Sequence, residues 1–534
     1  MSRAGDERSI TWQYVKNNRK RGSVSMNKKC LDVRVNVKPI FCFISHKYYY
    51  EGPCRMAGGD ALKPGFDDIL NGQIQNGLGM AMKYACPEDI AVLMDPNVVV
   101  TTDDWDMKDE YMEELMRDHD SVDVYIIFTS FGSDRIWREF GKACKKPLMI
   151  CPNIWNPMKS AYYFNNGLEV YVPYDWDEVT NYIKAMRARK AIAAANILLV
   201  VRFSDTMSIA GADDSFLSLD EVTERFGTHF RPVNFHEIMD QMSLLPEGGN
   251  VTTPGRETPN ITEQDLAELE KIADDLTKGA EVCDISREYL MNSLKAWRVI
   301  NKNMDFYDCS ACAIPCPDCC STRRLNESKF TFCLNHQLNH ELGIPSACKY
   351  DIAAAVTMIA EICLSGRVPY MANTLPIIKS ANGKEQWISQ IPEADRMSIM
   401  DTDNLYCVNM SPQMRVTGKI GDRPDRYRIN HFAYDQGFGA VFHHDFNDDI
   451  GKKITLARFS GDCKKLMIVR GKIVKGYGYE LHNCSGGFIF RVSDNRKMYK
   501  EQARVGLMLP MVFGDISGEL ERLAEIMGLE CVII

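Results

Sequence analysis

Short apolar runs alternate with amphipathic stretches through the first third of the chain. Pro39–Ser45 (PIFCFIS), Ile90–Met94, Val122–Thr129 and Pro147–Cys151 read as strands, and Asp109–Asp118 and Asp134–Cys144 between them as helices. Apolar strands separated by helices imply a parallel sheet covered on both faces. Such sheets hold ligands in loops after the carboxyl ends of their strands. Here those are the loops at His46–Arg55, Ser130–Ser133 and Pro152–Pro157. A second unit begins near Tyr171, with a helix over Asp175–Ala195, a strand over Ile197–Phe203 and a helix over Leu219–Phe226 that Gly227 ends. Pro246–Pro259 (PEGGNVTTPGRETP) reads as an exposed loop. Thr262 is placed as an N-cap, with Asp265 in the capping-box position, for a helix to Gly279; another helix spans Ser286–Asn301. From about Asn404 the pattern turns strand-rich: Leu405–Met410, Lys453–Phe459, Lys464–Val469 and Gly486–Val492, separated by Gly-containing turns. This predicts an antiparallel sheet or barrel. A last helix, Ile516–Met527, leads into a strand over Glu530–Ile534.

Composition narrows the class. The chain has 534 residues, 45% of them hydrophobic, which excludes a wholly disordered protein. Its 63 basic and 72 acidic residues give a net charge of −9, against non-specific nucleic-acid binding. No apolar run reaches the length of a membrane span, and residues 1–29 form a polar extension without the apolar segment of a secretory signal. Nineteen cysteines in such a chain are expected to be reduced thiols in a cytoplasmic setting.

Three clusters are candidates for chemistry. Cys309, Cys312, Cys316, Cys319 and Cys320 lie within twelve residues, and thiolates this close suit zinc or an iron–sulfur cluster. The alternative is a buried segment of small thiols, since the spacing matches neither a zinc ribbon nor a ferredoxin run. His443, His444 and Asp445 stand in succession, and His336 and His340 have the i, i+4 spacing that puts both on one helical face. Neither histidine group carries a zinc-protease signature, and Walker A and GxGxxG patterns are absent, so no nucleotide cofactor is expected.

The segment Phe332–Gly366 (FCLNHQLNHELGIPSACKYDIAAAVTMIAEICLSG) followed by Val368–Thr374 (VPYMANT) resembles the L-fucose isomerase/L-arabinose isomerase superfamily. Ile454–Gly461 (ITLARFSG), Lys464–Ile473 and Gly506–Ile534 resemble that family's barrel hairpin and closing helix–strand. The resemblance implies an α/β fold: a Rossmann-like domain over 30–170, a second over 171–345, and a C-terminal fucose isomerase-like domain over 346–534 with an antiparallel β-barrel. It also implies aldose–ketose isomerisation of an unphosphorylated sugar, a Mn²⁺ ion held by a Glu, an Asp and a His, and a trimer or hexamer. Carried over residue by residue, the Glu falls at Lys349, the strand Asp at Asn373 and the terminal His within Leu507–Met508; Asp351 alone is kept.

Losing two carboxylates and an imidazole removes the donors a hard cation needs. An ammonium in their place repels it as well: unit charges 4 Å apart interact by about 4 kcal/mol at an effective dielectric of 20, and a divalent ion roughly doubles that. The expectation is therefore a sugar isomerase-like protein without the family's Mn²⁺ site. In it Lys349, Asp351 and Asn373 would be catalytic, and His443, His444, Arg323 and Arg324 would bind substrate. Glu237 is a further acid–base candidate, and Arg367 a further anchor for an anionic substituent such as a sulfonate. Two alternatives stand beside it: a non-catalytic sugar-binding homologue, and a lyase or epimerase using Lys349 as a Schiff-base amine.

Overall fold

The computed structural model describes residues 30–45, 65–102, 107–130, 134–202, 214–216, 218–245, 258–379, 382, 384–410 and 413–534. The polar extension 1–29, the whole loop His46–Arg55, residues 131–133 and most of the loop Pro246–Pro259 lie outside the described residues. The chain divides into two compact units, Val33–Arg187 and the remainder.

The Val33–Arg187 unit is built on a parallel sheet. Its strands are β1 (Val35–Ile44), β2 (Ala91–Leu93), β3 (Asn97–Thr101), β4 (Val124–Thr129), β5 (Leu148–Ile150) and β6 (Val170–Tyr171), in the order β2-β1-β4-β5-β6 with β3 also on β1. Residues 37–44 of β1 are all buried, as expected of a strand covered on both faces. Ile136, Trp137 and Phe140 of the helix Asp134–Cys144 pack into the core, Phe140 edge-on to Tyr125 at 5.0 Å. The helix Phe66–Ala85 connects β1 to β2.

The larger unit holds a second parallel sheet of β7 (Asn196–Val201), β8 (His229–Asn234), β10 (Ala311–Ala313) and β11 (Ser346–Ala347), in the order β11-β10-β7-β8. The helix Glu263–Gly279 has the expected capping box: the Thr262 hydroxyl accepts from Asp265 N–H, and the Asp265 carboxylate from Thr262 N–H. A three-stranded sheet of β9 (Val282–Cys283), β16 (Tyr427–His431) and β17 (Ala440–His444) lies outside the barrel described next, and β13 (Ile378–Lys379) pairs with β14 (Glu385–Gln386).

The strand-rich region forms a closed six-stranded antiparallel barrel. Its strands are β12 (Tyr370–Pro376), β15 (Leu405–Asn409), β18 (Lys453–Phe459), β19 (Lys465–Tyr477), β20 (Gly487–Arg491) and β21 (Met508–Phe513). They run β18-β21-β12-β15-β20-β19, and β19 pairs back onto β18. β22 (Glu530–Ile533) adds to β19 in parallel. The barrel begins at Tyr370, earlier than the sequence pattern marked. A register shift between Ile473 and Lys475 lets the long β19 bend to serve both neighbours. Gly487 has φ +154°, and a Cβ there would stand 1.9 Å from the Val408 carbonyl oxygen. Gly487→Ala is expected to destabilise the unit by about 1–3 kcal/mol in denaturant unfolding, because the clash is with a paired strand's backbone. Among the described residues no helix is long and apolar enough to cross a membrane.

Candidate functional site

The site grows from the end of β11. Two consecutive residues after it, Lys349 (φ 57°) and Tyr350 (φ 62°), are left-handed, a conformation that costs energy away from glycine and tends to gather at functional sites. The Tyr350 N–H donates to Ile314 O (3.1 Å) and the Ile314 N–H to Ala347 O (2.9 Å), which ties the loops after β10 and β11 together. The Lys349 side chain is half-buried, and its ammonium has no hydrogen bond or ion pair among the described residues. Asp351 then caps the helix Ile352–Ser365, its Oδ1 accepting from Ala354 N–H at 3.0 Å.

The other oxygen of Asp351 is also taken. Arg458 of β18, fully buried, donates from Nη1 to Asp351 Oδ2 (2.6 Å) and to Met508 O (2.7 Å). Its Nε donates to Val505 O and its Nη2 to Asp214 O (2.6 Å). Asp214 Oδ2 in turn accepts from Leu507 N–H (2.6 Å), and Ser215 Oγ from Ala353 N–H (3.0 Å). Met508 is the register partner of Asn373. Of the positions singled out by resemblance, Asp351 and Met508 meet at an arginine that sequence reasoning did not pick, with Leu507 tied in through Asp214 and Asn373 beside Met508 on the paired strand. The Asn373 Oδ1 is buried there without a hydrogen-bond partner.

These groups do not fit a manganese ion. The three replaced positions offer an ammonium, a carboxamide and apolar or thioether side chains, and the retained carboxylate is already paired with a guanidinium and a backbone amide.

The other expected residues are placed elsewhere. His443 is fully buried; its Nδ1–H donates to Gly478 O (3.2 Å), and burial lowers its pKa to about 4, so it is neutral near pH 7. His444, on the opposite face of β17, bonds through Nε2 to Asp449 Oδ2 (2.6 Å), and Lys452 holds the other Asp449 oxygen at 2.6 Å. Both rings are buried, and each keeps one nitrogen, His443 Nε2 and His444 Nδ1, without a hydrogen-bond partner. Arg323 is 89% exposed and pairs with Glu327 of its own helix. Arg324 pairs with Asp240, and Glu237 is exposed. Surface pairs of this kind contribute little. Arg367 is half-buried in a bridge to Lys419.

His336 and His340 do share one helical face. His336 Nδ1 meets Ser346 Oγ (2.8 Å) and His340 Nε2–H donates to Ser346 O (2.8 Å), and burial lowers both pKa values to about 3.

The cysteines regroup. Cys309, Cys312, Cys316 and Cys319 do not gather: no three of their sulfurs lie within 4.8 Å of one another. Cys312 instead meets Ser346 Oγ at 3.0 Å. Cys316 stands 3.3 Å from Cys320, and the thiols of Cys320, Cys333 and Cys348 beside it push its pKa well up. Cys333 opens the helix Cys333–Glu341 and Cys348 follows the end of β11, so local spacing carried no sign of them. Among the described residues no disulfide joins two cysteines.

No family model matches the chain, and no curated protein matches it.

Proposed function

We propose that this chain is a carbohydrate-active enzyme of the sugar isomerase type that works without the divalent ion. The two parallel sheets stand for the two Rossmann-like domains of that scaffold and the closed barrel for its C-terminal domain. The observation that carries the reading is Lys349: an unpaired, half-buried ammonium on strained backbone, at the carboxyl end of a parallel strand. In this reading the ammonium polarises the carbonyl of an unphosphorylated sugar, and the orphan Asn373 amide oxygen accepts a hydroxyl hydrogen. Asp351, locked by Arg458, positions the loop rather than moving a proton. That lock also favours a second reading, a sugar-binding homologue without turnover.

A panel of aldoses, ketoses and sulfonated sugars tests both by thermal shift and by NMR-detected interconversion. Lys349→Met is expected to lower kcat/KM by about 100-fold or more, the scale of losing one electrostatic contact to a developing oxyanion. Added Mn²⁺ is expected to leave turnover unchanged. Stabilisation by a sugar without interconversion selects the binding homologue. A reductively trapped imine at Lys349 selects Schiff-base chemistry. No response to any sugar, or turnover that appears only with Mn²⁺, overturns the proposal.

A further inference from the structure

Three side chains far from one another in sequence converge at the three-stranded sheet. Asp284 directly follows β9, and its N–H donates to Ile429 O at 2.7 Å, which fixes it beside β16. His431 is the last residue of β16. His482 comes from the loop between β19 and β20, which Asn430 holds by donating from Nδ2 to Leu481 O (2.7 Å) and Tyr479 O (3.3 Å). Tyr434 steadies the same loop through its hydroxyl, which donates to His482 O at 3.3 Å.

The ligand atoms lie close together, and the stacked rings must tilt apart for both to reach one ion. His431 Nε2 is 3.9 Å and His482 Nε2 3.5 Å from the same oxygen, Asp284 Oδ2. The imidazoles stack with centroids 3.7 Å apart and planes 14° off parallel, and the three donor atoms lie within 4.8 Å of one another. Metal–ligand bonds of about 2.0–2.1 Å in a tetrahedron need edges near 3.3–3.4 Å, so the edge from Asp284 to His482 is nearly in place and the one to His431 must shorten by about half an ångström.

One histidine already has its outer hydrogen bond. A carbonyl only accepts, so His431 Nδ1 carries the hydrogen of its 3.0 Å bond to Ala433 O, which leaves Nε2 as the atom turned to Asp284. A backbone carbonyl on the far ring nitrogen is the partner that orients metal-bound histidines.

We propose that Asp284, His431 and His482 form a binding site for one divalent transition-metal ion of the zinc type, with two imidazoles and one carboxylate as protein ligands and the remaining positions open to water. Imidazole with carboxylate suits zinc and its neighbours better than magnesium or calcium. Nothing in this proposal depends on Lys349 or on a sugar ligand, so the two readings fail separately.

The test uses the full chain, stripped of metal and titrated with Zn²⁺ by calorimetry and with Co²⁺ by absorption. One equivalent is expected to bind, and the Co²⁺ complex to show visible d–d bands without the near-ultraviolet band of thiolate ligation. His431→Ala and His482→Ala are each expected to weaken binding by more than about 100-fold, beyond the roughly 10–100-fold that follows loss of an outer hydrogen-bond partner. Thermal unfolding of the metal-free variants shows whether they fold. Asp284→Asn, at an exposed side chain, keeps the question answerable if a histidine variant does not: weaker binding there supports the site, and wild-type binding counts against it. Cys333→Ser is expected to bind as the wild type does. Absence of binding, a thiolate spectrum, or loss of binding in Cys333→Ser with retention in the histidine variants overturns the proposal.

Discussion

Arg458→Met is expected to destabilise the fold severely, by about 3–5 kcal/mol, the range for removing one partner of a buried ion pair. The guanidinium is inaccessible to solvent, and its loss strands the Asp351 carboxylate together with the carbonyls of Val505, Met508 and Asp214. Asp351, Val505 and Met508 are buried, so each is left with an unmet desolvation cost. Urea unfolding measures the effect: the midpoint should fall with little change in slope, because the surface exposed on unfolding stays the same. The double variant Asp351→Asn/Arg458→Met should lose less than the single-variant losses combined, since the stranded charge is gone. A loss below about 1 kcal/mol for Arg458→Met would mean that the pair is hydrated rather than buried.

Glu361→Met is expected to act in the opposite direction. Glu361 lies fully buried on the helix Ile352–Ser365, both carboxyl oxygens lack a hydrogen-bond partner, and burial holds its pKa well above the usual carboxylate range. The sign follows from proton counting. Above the unfolded-state value of 4.5 the unfolded chain releases this proton while the folded chain keeps it. Folding stability therefore falls as pH rises through that window. Methionine has a similar volume and no charge, so the variant should be more stable than wild type by about 2 kcal/mol near pH 8, the scale for an unsatisfied buried polar group. The gain should shrink toward pH 4.5, and stability curves of the two proteins between pH 4.5 and 8 check it. A gain independent of pH would show that Glu361 does not titrate as its burial dictates.

Glutamate at position 361 also shows why some of the molecule was legible in the sequence and some was not. Periodicity and caps are local signals, and they held. The helices Asp134–Cys144 and Leu219–Phe226, the Thr262–Asp265 capping box and the strand Lys453–Phe459 stand where their residues place them. The helix Phe66–Ala85 escaped notice because Gly72, Gly77 and Gly79 interrupt it and few of its side chains are buried. The candidate site is made of contacts between distant segments. Nothing near Asp351 announces Arg458, 107 residues on. Nothing near Cys316 announces Cys333 or Cys348, and Asp284, His431 and His482 are single residues of ordinary appearance in three separate loops and strand ends. The dense run from Cys309 to Cys320 drew attention to itself, yet only part of it takes part in the thiol group observed, because β10 and the turn after it send its sulfurs in different directions.

Barrel closure has a consequence for how this protein must be made. β12 receives its partner β21 only after the ribosome has added the whole of the intervening chain, and β15 waits for β20 across a shorter gap. Until then both present unpaired apolar edges, and the entropic toll of closing such large loops makes this step slow compared with forming the helices. A nascent chain stalled before Met508 would hold an open, adhesive sheet, and chaperone occupancy during synthesis should peak across that interval.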